Sequence, residues 1–217
     1  MFDFRLRLVK EQVLGPLCRF IPKVIEPIHL TLLAFCFGIA SCYIVAFHHY
    51  SGHGIWMWLL NRFLDGLDGS LARSRRIASR AGGFVDLLCD FSVYSLIPIS
   101  VAQGASSDRP VDWRAIAFLE AAFHINNFVL MYAATVEENM PNSSDDLTSF
   151  TMRPALVEGV ESAIWFTAML AFPYYIEMLC WTMSLAVLVG VAQRTAYILA
   201  VSHKFDGTRR NGCKKRN

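Results

Sequence analysis

Long apolar runs separated by short polar connections dominate this chain. Six of the runs are about the length that an α-helix needs to cross the ~30 Å hydrocarbon core of a bilayer. They lie at residues 28–47, 55–73, 82–103, 113–135, 155–173 and 176–200. The second run is the weakest, because polar and charged side chains interrupt it between Asn61 and Asp68. The pattern predicts an all-α membrane bundle of six transmembrane helices.

The residues before the first run alternate apolar and basic side chains from Phe2 to Lys23. Such an alternation is typical of an amphipathic helix that lies on the membrane surface with its apolar face in the bilayer. We therefore expect three parts. An amphipathic juxtamembrane segment covers 1–24, a six-helix domain covers 25–203, and a basic cytosolic tail covers 204–217.

The composition favours a membrane protein over a soluble one. When glycine is counted in place of tyrosine, about 57% of the 217 residues are apolar, against roughly 45–50% in soluble domains. Charged residues make up 18% of the chain, and the mean hydropathy is +0.38. A soluble core of this size cannot bury so much apolar surface, which argues against both a soluble enzyme and intrinsic disorder.

Basic residues mark one side of the predicted bundle. Six spans place both termini and the 74–80 loop on one face, and most of the 20 Lys and Arg residues fall there. The opposite face carries Arg109 and Arg114. Because cytosolic loops retain positive charge, we expect the termini and this loop to face the cytosol, with Arg75 and Arg76 acting as orienting charges. In so apolar a chain, this interpretation is preferred to a nucleic-acid partner.

Four carboxylates lie near the cytosolic ends of the second and third runs. Asp65 and Asp68 share a face of one helix, within an arc of about 140° that also holds Gly69, Ala72 and Arg73. Asp86 and Asp90 lie four residues apart on the next helix. A short loop joins the two helices, so the two pairs can face each other. Each unpaired intramembrane charge costs roughly 2.5–3.5 kcal/mol. Divalent cations remove this conflict, and carboxylate oxygens are the ligands that Mg²⁺ or Mn²⁺ prefer.

Small residues and an arginine accompany these carboxylates. Gly69 and Gly82 leave backbone exposed, so that a flat base and a pyrophosphate can approach closely. Arg73 offers a planar fork for a phosphate oxygen. A pair of metal ions beside these groups suits phosphoryl transfer. Asp65 and Asp68 alone would fit a helix cap or a structural ion pair with Arg62 equally well. The agreement in spacing with Asp86, Asp90, both glycines and Arg73 favours a site.

In this stretch the chain resembles the CDP-alcohol phosphotransferase family. The family signature D-x₂-D-G-x₂-A-R-x₈-G-x₃-D-x₃-D is matched at every fixed position from Asp65 to Asp90. The resemblance implies that Asp65, Asp68 and Asp86 bind two Mg²⁺ or Mn²⁺ ions. It implies that Asp90 takes a proton from the acceptor hydroxyl and also contacts a metal. The implied CDP-binding residues are Thr31, Asp68, Gly69, Ala72, Arg73 and Gly82.

The resemblance further implies a homodimeric phospholipid synthase that transfers a phosphatidyl group from CDP-diacylglycerol to an alcohol and releases CMP. The acceptor stays open: glycerol 3-phosphate is placed ahead of inositol species, and phosphatidylglycerol is an alternative. Arg153 and Arg194 are expected on the metal side, where a phosphate on the acceptor would pair with them. The competing interpretation pairs Arg194 with Glu158 or Glu161 and leaves Arg153 as an orienting charge.

Other functions fit part of the pattern. A phosphotransferase that uses soluble CDP-choline or CDP-ethanolamine is disfavoured, because such family members are usually longer. A divalent-cation transporter would also carry intramembrane carboxylates, but nearer mid-bilayer and on several spans. The intact aspartates argue against an inactive relative. Polar residues in the fourth run, His124, Asn126 and Asn127, are expected either to bond neighbouring helices or to line a pocket.

Overall fold

The computed structural model describes residues 14–48, 52–138 and 159–214, in which a short helical segment at 14–18 is followed by six α-helices that lie wholly within the described ranges. The helices are α1 (Pro27–Phe47), α2 (Gly52–Ser74), α3 (Arg80–Ala105), α4 (Trp113–Glu138), α5 (Gly159–Ala171) and α6 (Ile176–Lys214). A short 3₁₀ turn, Pro173–Tyr175, separates α5 from α6. Each predicted apolar run coincides with one helix over most of its described length, while residues 155–158 of the fifth run lie outside the described residues. The described part of the chain contains no strand, which confirms the all-α prediction.

Four segments are long and apolar enough to cross a membrane, judged by length and composition. They are Pro27–Phe47, Arg80–Ala105, Trp113–Thr135 and Pro173–Ala200. Helix α2 has a comparable length of 23 residues, but charged side chains interrupt it. The apolar part of α5, Val160–Ala171, is shorter. The count of six spans therefore stays a prediction. The amphipathic surface helix also stays a prediction, because residues 14–18 are helical but residues 1–13 lie outside the described residues.

Local sequence fixes where the helices begin. Ser79 caps α3, with its Oγ accepting the backbone N–H of Gly82 at 3.1 Å. Pro27 occupies the first turn of α1, where its missing N–H has no helical partner to lose. Helix α4 follows Asp112, whose carboxylate accepts the backbone N–H of Arg114 at 3.1 Å. Hydrogen bonds from Arg114 lower the pKa of Asp112, so the cap stays charged at neutral pH.

Helix α1 packs closely against both α2 and α3. A Cβ at Gly38 would lie 2.6 Å from a Val93 methyl group and 3.1 Å from the Asn61 amide nitrogen. The Ser41 hydroxyl donates to the Gly54 carbonyl oxygen at 2.7 Å. Small residues allow such close approach between membrane helices, and polar side chains add hydrogen bonds across it. These contacts help to set the register between α2 and α3, the helices that carry the four aspartates.

The main apolar core joins α2 to the later helices. Trp58, Leu119, Phe166 and Met183 are fully buried in it. The Tyr94 ring packs on Phe166 with ring centres 4.9 Å apart. Because Tyr94 also contacts the polar groups of α2 and α3, this core supports the candidate site directly.

Arg109 ties the α3–α4 connection to α6 at the end of the bundle away from the 74–80 loop. Its Nη1 and Nη2 donate to the two carboxylate oxygens of Glu177 at 2.7 and 2.6 Å. Nη2 also donates to the Tyr174 carbonyl oxygen at 2.8 Å. This group, the Arg109 clasp, is bidentate, so it fixes orientation as well as distance.

Candidate metal and nucleotide site

Three carboxylates from α2 and α3 converge as their spacing predicts. One oxygen each of Asp65, Asp68 and Asp86 lies within 4.8 Å of the other two. Asp68 is buried, and the other two are half-buried. We call these residues the acidic cluster. Three hard oxygen ligands fit a divalent cation, whose charge would offset the repulsion between them.

Helix α1 supports the acidic cluster through one hydroxyl. Thr31 Oγ1 donates to Asp68 Oδ2 at 2.5 Å, and both residues are buried. The same hydroxyl lies 3.2 Å from the Pro27 carbonyl oxygen, one turn earlier on α1. A carboxylate held in this way keeps a fixed direction, as ligating carboxylates in metal sites do. Thr31 therefore lies at the predicted site, in contact with a predicted ligand.

Asp90 has different neighbours from the other three aspartates. Arg62 Nη2 donates to Asp90 Oδ1 at 2.6 Å, and Nη1 lies 3.4 Å from Oδ2. The Tyr94 hydroxyl lies 3.3 Å from Oδ2. Arg62 also reaches Asp65 at 3.7 Å. In this structure Asp90 thus forms an ion pair with Arg62, beside the acidic cluster. Its predicted roles as base and metal ligand remain predictions.

Arg62 is held in place from several sides. Its guanidinium carbon lies 4.7 Å from the Trp58 ring centre and 5.0 Å from that of Tyr94. Its Nε donates to Asn61 Oδ1 at 2.7 Å, and Nη1 donates to the Tyr94 hydroxyl at 2.6 Å. We call Asn61, Arg62, Asp90 and Tyr94 the Arg62 layer. Sequence reasoning considered an ion pair of Arg62 with Asp65 or Asp68, and the structure places Arg62 3.7 Å from Asp65. It missed Asp90, Asn61 and Tyr94 as the closer partners of Arg62.

Besides Thr31 on α1, four other residues expected to hold the nucleotide lie near the acidic cluster in sequence, on α2 and α3. A Cβ at Gly69 would lie 3.2 Å from Arg73 Nη1, so glycine leaves room for the guanidinium to fold back along α2. Ala72 is half-buried one turn after Gly69. The N–H of Gly82 is bonded to the Ser79 cap at 3.1 Å. Their part in CDP binding stays a prediction.

Of the two arginines expected to bind the acceptor, Arg194 lies within the described residues. Arg194 Nη1 donates to Asn126 Oδ1 at 2.6 Å, which joins α6 to α4. Asn126 thus makes an interhelical hydrogen bond, one of the two roles expected for the polar residues of α4. His124 and Asn127 line a cavity of about 500 Å³, which is the other expected role. Arg153 lies outside the described residues, and the acceptor role of both arginines stays a prediction.

Membrane-length helices around a carboxylate site define a multi-pass membrane protein equipped to hold a divalent cation. Comparison with known proteins then gives the family. The chain belongs to the CDP-alcohol phosphatidyltransferase family, whose model matches residues 24–192. It is also 31% identical over 166 residues to the inner membrane protein YnjF of Escherichia coli K12, covering 72% of this chain and 78% of that protein.

Family membership confirms the predicted resemblance and the enzyme class. The protein is a phosphotransferase of phospholipid synthesis, and its family transfers phosphatidyl groups from CDP-alcohols to alcohol acceptors in membranes. The family generally depends on divalent metals, and the acidic cluster supplies suitable ligands.

Proposed function

We propose that this protein transfers a phosphatidyl group from CDP-diacylglycerol to an alcohol and releases CMP. The observation that carries the proposal is the acidic cluster with Thr31 against Asp68, because it places hard ligands next to the arginine and glycines of the family signature. The three clustered carboxylates come from two neighbouring helices, in the halves of those helices that lead to the 74–80 loop. That grouping favours a nucleotide diphosphate site over a transport path for cations.

The metal ligands in this proposal are Asp65, Asp68 and Asp86, which would hold two Mg²⁺ or Mn²⁺ ions. Such ions offset the charge of the donor pyrophosphate and polarise the phosphorus under attack. Thr31 keeps one ligand oriented through its hydrogen bond. Arg73, folded over the open backbone of α2, donates to a phosphate oxygen.

Asp90 is the proposed general base. It accepts the proton of the acceptor hydroxyl while the acceptor oxygen forms a bond to the β-phosphorus, the one that carries the lipid. The bond from that phosphorus to the bridging oxygen breaks, and CMP leaves with the bridging oxygen and its electron pair. Arg62 and Tyr94 hold the Asp90 carboxylate in one orientation, which favours proton transfer along a fixed direction.

The proposed acceptor is a phosphorylated polyol, with glycerol 3-phosphate ahead of inositol species. A phosphate on the acceptor matches the charge of Arg153 and Arg194. Phosphatidylglycerol as acceptor and a soluble CDP-alcohol as donor are the alternatives. If the acceptor is a phosphorylated polyol, Arg194→Ala should raise the KM for the acceptor more than the KM for the donor. An equal rise in both constants would make Arg194 a structural residue.

The deciding experiment offers the purified protein CDP-diacylglycerol, Mg²⁺ and each candidate alcohol in turn, and follows CMP release. We expect release with one phosphorylated polyol. Asp90→Asn is the matched control, expected to bind CDP-diacylglycerol but to release no CMP. Turnover by this variant near the wild-type rate would overturn the assignment of the base. A lack of CMP with every alcohol would overturn the proposed transfer.

We further propose that both termini and the 74–80 loop face the cytosol and that the protein is a homodimer. The distribution of basic residues supports the orientation, and family resemblance supports the dimer. A membrane-impermeant reagent should label this loop only after the cytosolic face is opened. Labelling of sealed cells from outside would invert the orientation, and a monomeric mass in native mass spectrometry would contradict the dimer.

A further inference from the structure

One side chain ties the end of α2 to the segment that precedes α1. Arg75 Nη1 donates to the Ile25 carbonyl oxygen at 2.6 Å, and Nη2 donates to those of Ile21 and Pro22 at 2.8 and 3.1 Å. A guanidinium that serves three carbonyls at once uses its planar fork, which lysine lacks. Arg75 is half-buried, whereas its neighbour Arg76 is exposed. Arg75 is therefore engaged in the fold in a way that Arg76 is not.

The turn that ends α2 accounts for this difference. Arg76 has a φ of 56°, in the left-handed region that favours glycine. The N–H of Ile77 donates to the Ala72 carbonyl oxygen at 3.0 Å, and that of Arg76 donates to Arg73 at 3.1 Å. This pair of bonds is the Schellman termination of a helix. The turn leaves Arg75 directly after Ser74, the last residue of α2, and against the residues before α1.

A small apolar cluster lies beside these hydrogen bonds. Its members are Leu14, Cys18, Leu30, Leu67 and Leu71, each at most 8% exposed. Ile21 and Ile25 pack against it. Leu67 precedes Asp68 directly on α2, so the cluster joins the segment before α1 to the part of α2 that carries a ligand of the acidic cluster.

The same segment also leads into the part of α1 that reaches the site. Ile25 directly precedes Glu26, the N-cap residue of α1, and the Glu26 N–H donates to His29 Nδ1 at 3.1 Å. Less than two turns further on, Thr31 donates to Asp68 at 2.5 Å. Fixing the Ile25 carbonyl against α2 therefore fixes where the Thr31 hydroxyl meets the carboxylate.

We propose that Arg75 is a positioning residue for the donor site. It holds residues 21–25 on α2, and through them it keeps Thr31 against Asp68. The inference rests on the proposed function, because it takes this site to be the one that receives the CDP-linked donor. The sequence treats Arg75 and Arg76 alike, as orienting charges. The hydrogen bonds give Arg75 a second role that depends on the shape of its head group.

The test compares Arg75→Ala with Arg76→Gly. Both substitutions remove one positive charge from the same loop, and glycine suits the φ of position 76. Each full-length protein is purified and treated with a thiol reagent, and labelling of each cysteine is followed by mass spectrometry. Cys18 reports on the apolar cluster at 6% exposure, and Cys180, fully buried in the main core, reports on general unfolding.

We expect Arg75→Ala to label Cys18 about tenfold faster than wild type, because local opening of the segment exposes the thiol. Arg76→Gly should leave the rate unchanged, and Cys180 should stay protected in both. The KM for CDP-diacylglycerol should rise in Arg75→Ala with a smaller change in kcat, and Arg75→Lys should recover part of the loss. Equal labelling of Cys18 in both loop variants would assign the effect to charge and overturn the proposal.

Two results of this test, reaction of Cys180 in Arg75→Ala and absence of CMP release by the wild type, each require a further measurement. If Cys180 also reacts in Arg75→Ala, the comparison moves to Arg75→Lys, where faster labelling of Cys18 alone supports the proposal and an unchanged rate overturns it. If the wild-type protein releases no CMP with any acceptor, the proposed function fails but the Cys18 comparison still stands. Calorimetric binding of CDP with Mg²⁺ then replaces the KM, and equal affinity in wild type and Arg75→Ala would refute the positioning role.

Discussion

Removing Arg62 should destabilise the protein more than removing its partner Asp90. Arg62→Gln deletes a guanidinium that lies 2.6 Å from Asp90 and 4.7 Å from the Trp58 ring centre. Breaking a buried ion pair from one side costs about 3–5 kcal/mol. The two side chains are 15% and 22% exposed, so we take the lower end, about 3 kcal/mol. In a chain of this length that corresponds to a fall in Tm of roughly 6–12 °C.

Asp90→Asn should cost less, about 1–2 kcal/mol. Arg62 then keeps its hydrogen bonds to Asn61 and Tyr94 and its approach to Asp65 at 3.7 Å. The substitution also removes one of four neighbouring negative charges. The double variant should be more stable than the sum of the two losses predicts, by about 1.5–3 kcal/mol, because the second substitution removes a charge that the first left unpaired.

Thermal unfolding followed by tryptophan fluorescence in detergent would measure all four proteins, each with and without Mg²⁺. Mg²⁺ should raise the Tm of Arg62→Gln more than that of wild type, since it supplies the positive charge that Arg62 no longer gives. Strictly additive losses in the double variant would refute the coupling between Arg62 and Asp90. If Arg62→Gln lowers the Tm by less than about 2 °C, the assumed cost of the unpaired carboxylate is refuted.

Three further perturbations test other parts of the fold. Gly38→Ala puts a methyl group 2.6 Å from the Val93 side chain, and this overpacking should lower stability by about 1–3 kcal/mol, measured as a lower Tm. Glu177→Gln weakens the Arg109 clasp, whose side chains are 23% and 27% exposed; a loss of about 1 kcal/mol is expected, smaller at high salt, measured by melting at two ionic strengths. Chelation of divalent cations should lower Tm because it leaves the acidic cluster uncompensated, and titrated Mg²⁺ should restore it.

Matched controls accompany these perturbations. A Cβ at Gly52 would meet nothing within 4 Å, so Gly52→Ala should be neutral or stabilising. A similar loss at both glycines would contradict the packing argument. Arg114→Ala breaks the pair with Asp112, in which the arginine is 87% exposed, and should change Tm little. If Arg114→Ala lowers the Tm as much as Glu177→Gln does, the Arg109 clasp is no more stabilising than an exposed ion pair. Recovery by K⁺ as complete as by Mg²⁺ would contradict a divalent site.

The helices and the acidic cluster were predictable because both depend on local spacing. Apolar runs of span length set the helices. Asp65 and Asp68 lie one turn apart, so they share a face of α2 wherever that helix lies. Asp86 follows after one short loop, which limits how far apart the two helices can be. Sequence and structure therefore agree where apolar side chains or carboxylates recur at the spacing of a helical turn.

The partner of Asp90 could not be read in this way, because it depends on how α3 is rotated against α2. Contacts to a third helix, such as Gly38 against Val93, contribute to that rotation. The same limit applies to Arg194, for which sequence reasoning offered acidic partners or a ligand phosphate. The structure places the neutral amide of Asn126 beside it. The relative rotation of neighbouring helices decided the partners of both Asp90 and Arg194. The spacing of residues along the chain does not specify that rotation.

The depth of the acidic cluster bears on where the lipid product goes. Asp65 lies nine residues before the end of α2, and Asp86 lies six residues after the start of α3. These separations correspond to roughly 9–14 Å along a helix, less than half of a ~30 Å hydrocarbon core. If the ends of α2 and α3 at the 74–80 loop mark the edge of the hydrocarbon core, donor and product tails would share one leaflet throughout the transfer. The new phospholipid would then enter the bilayer on that side alone.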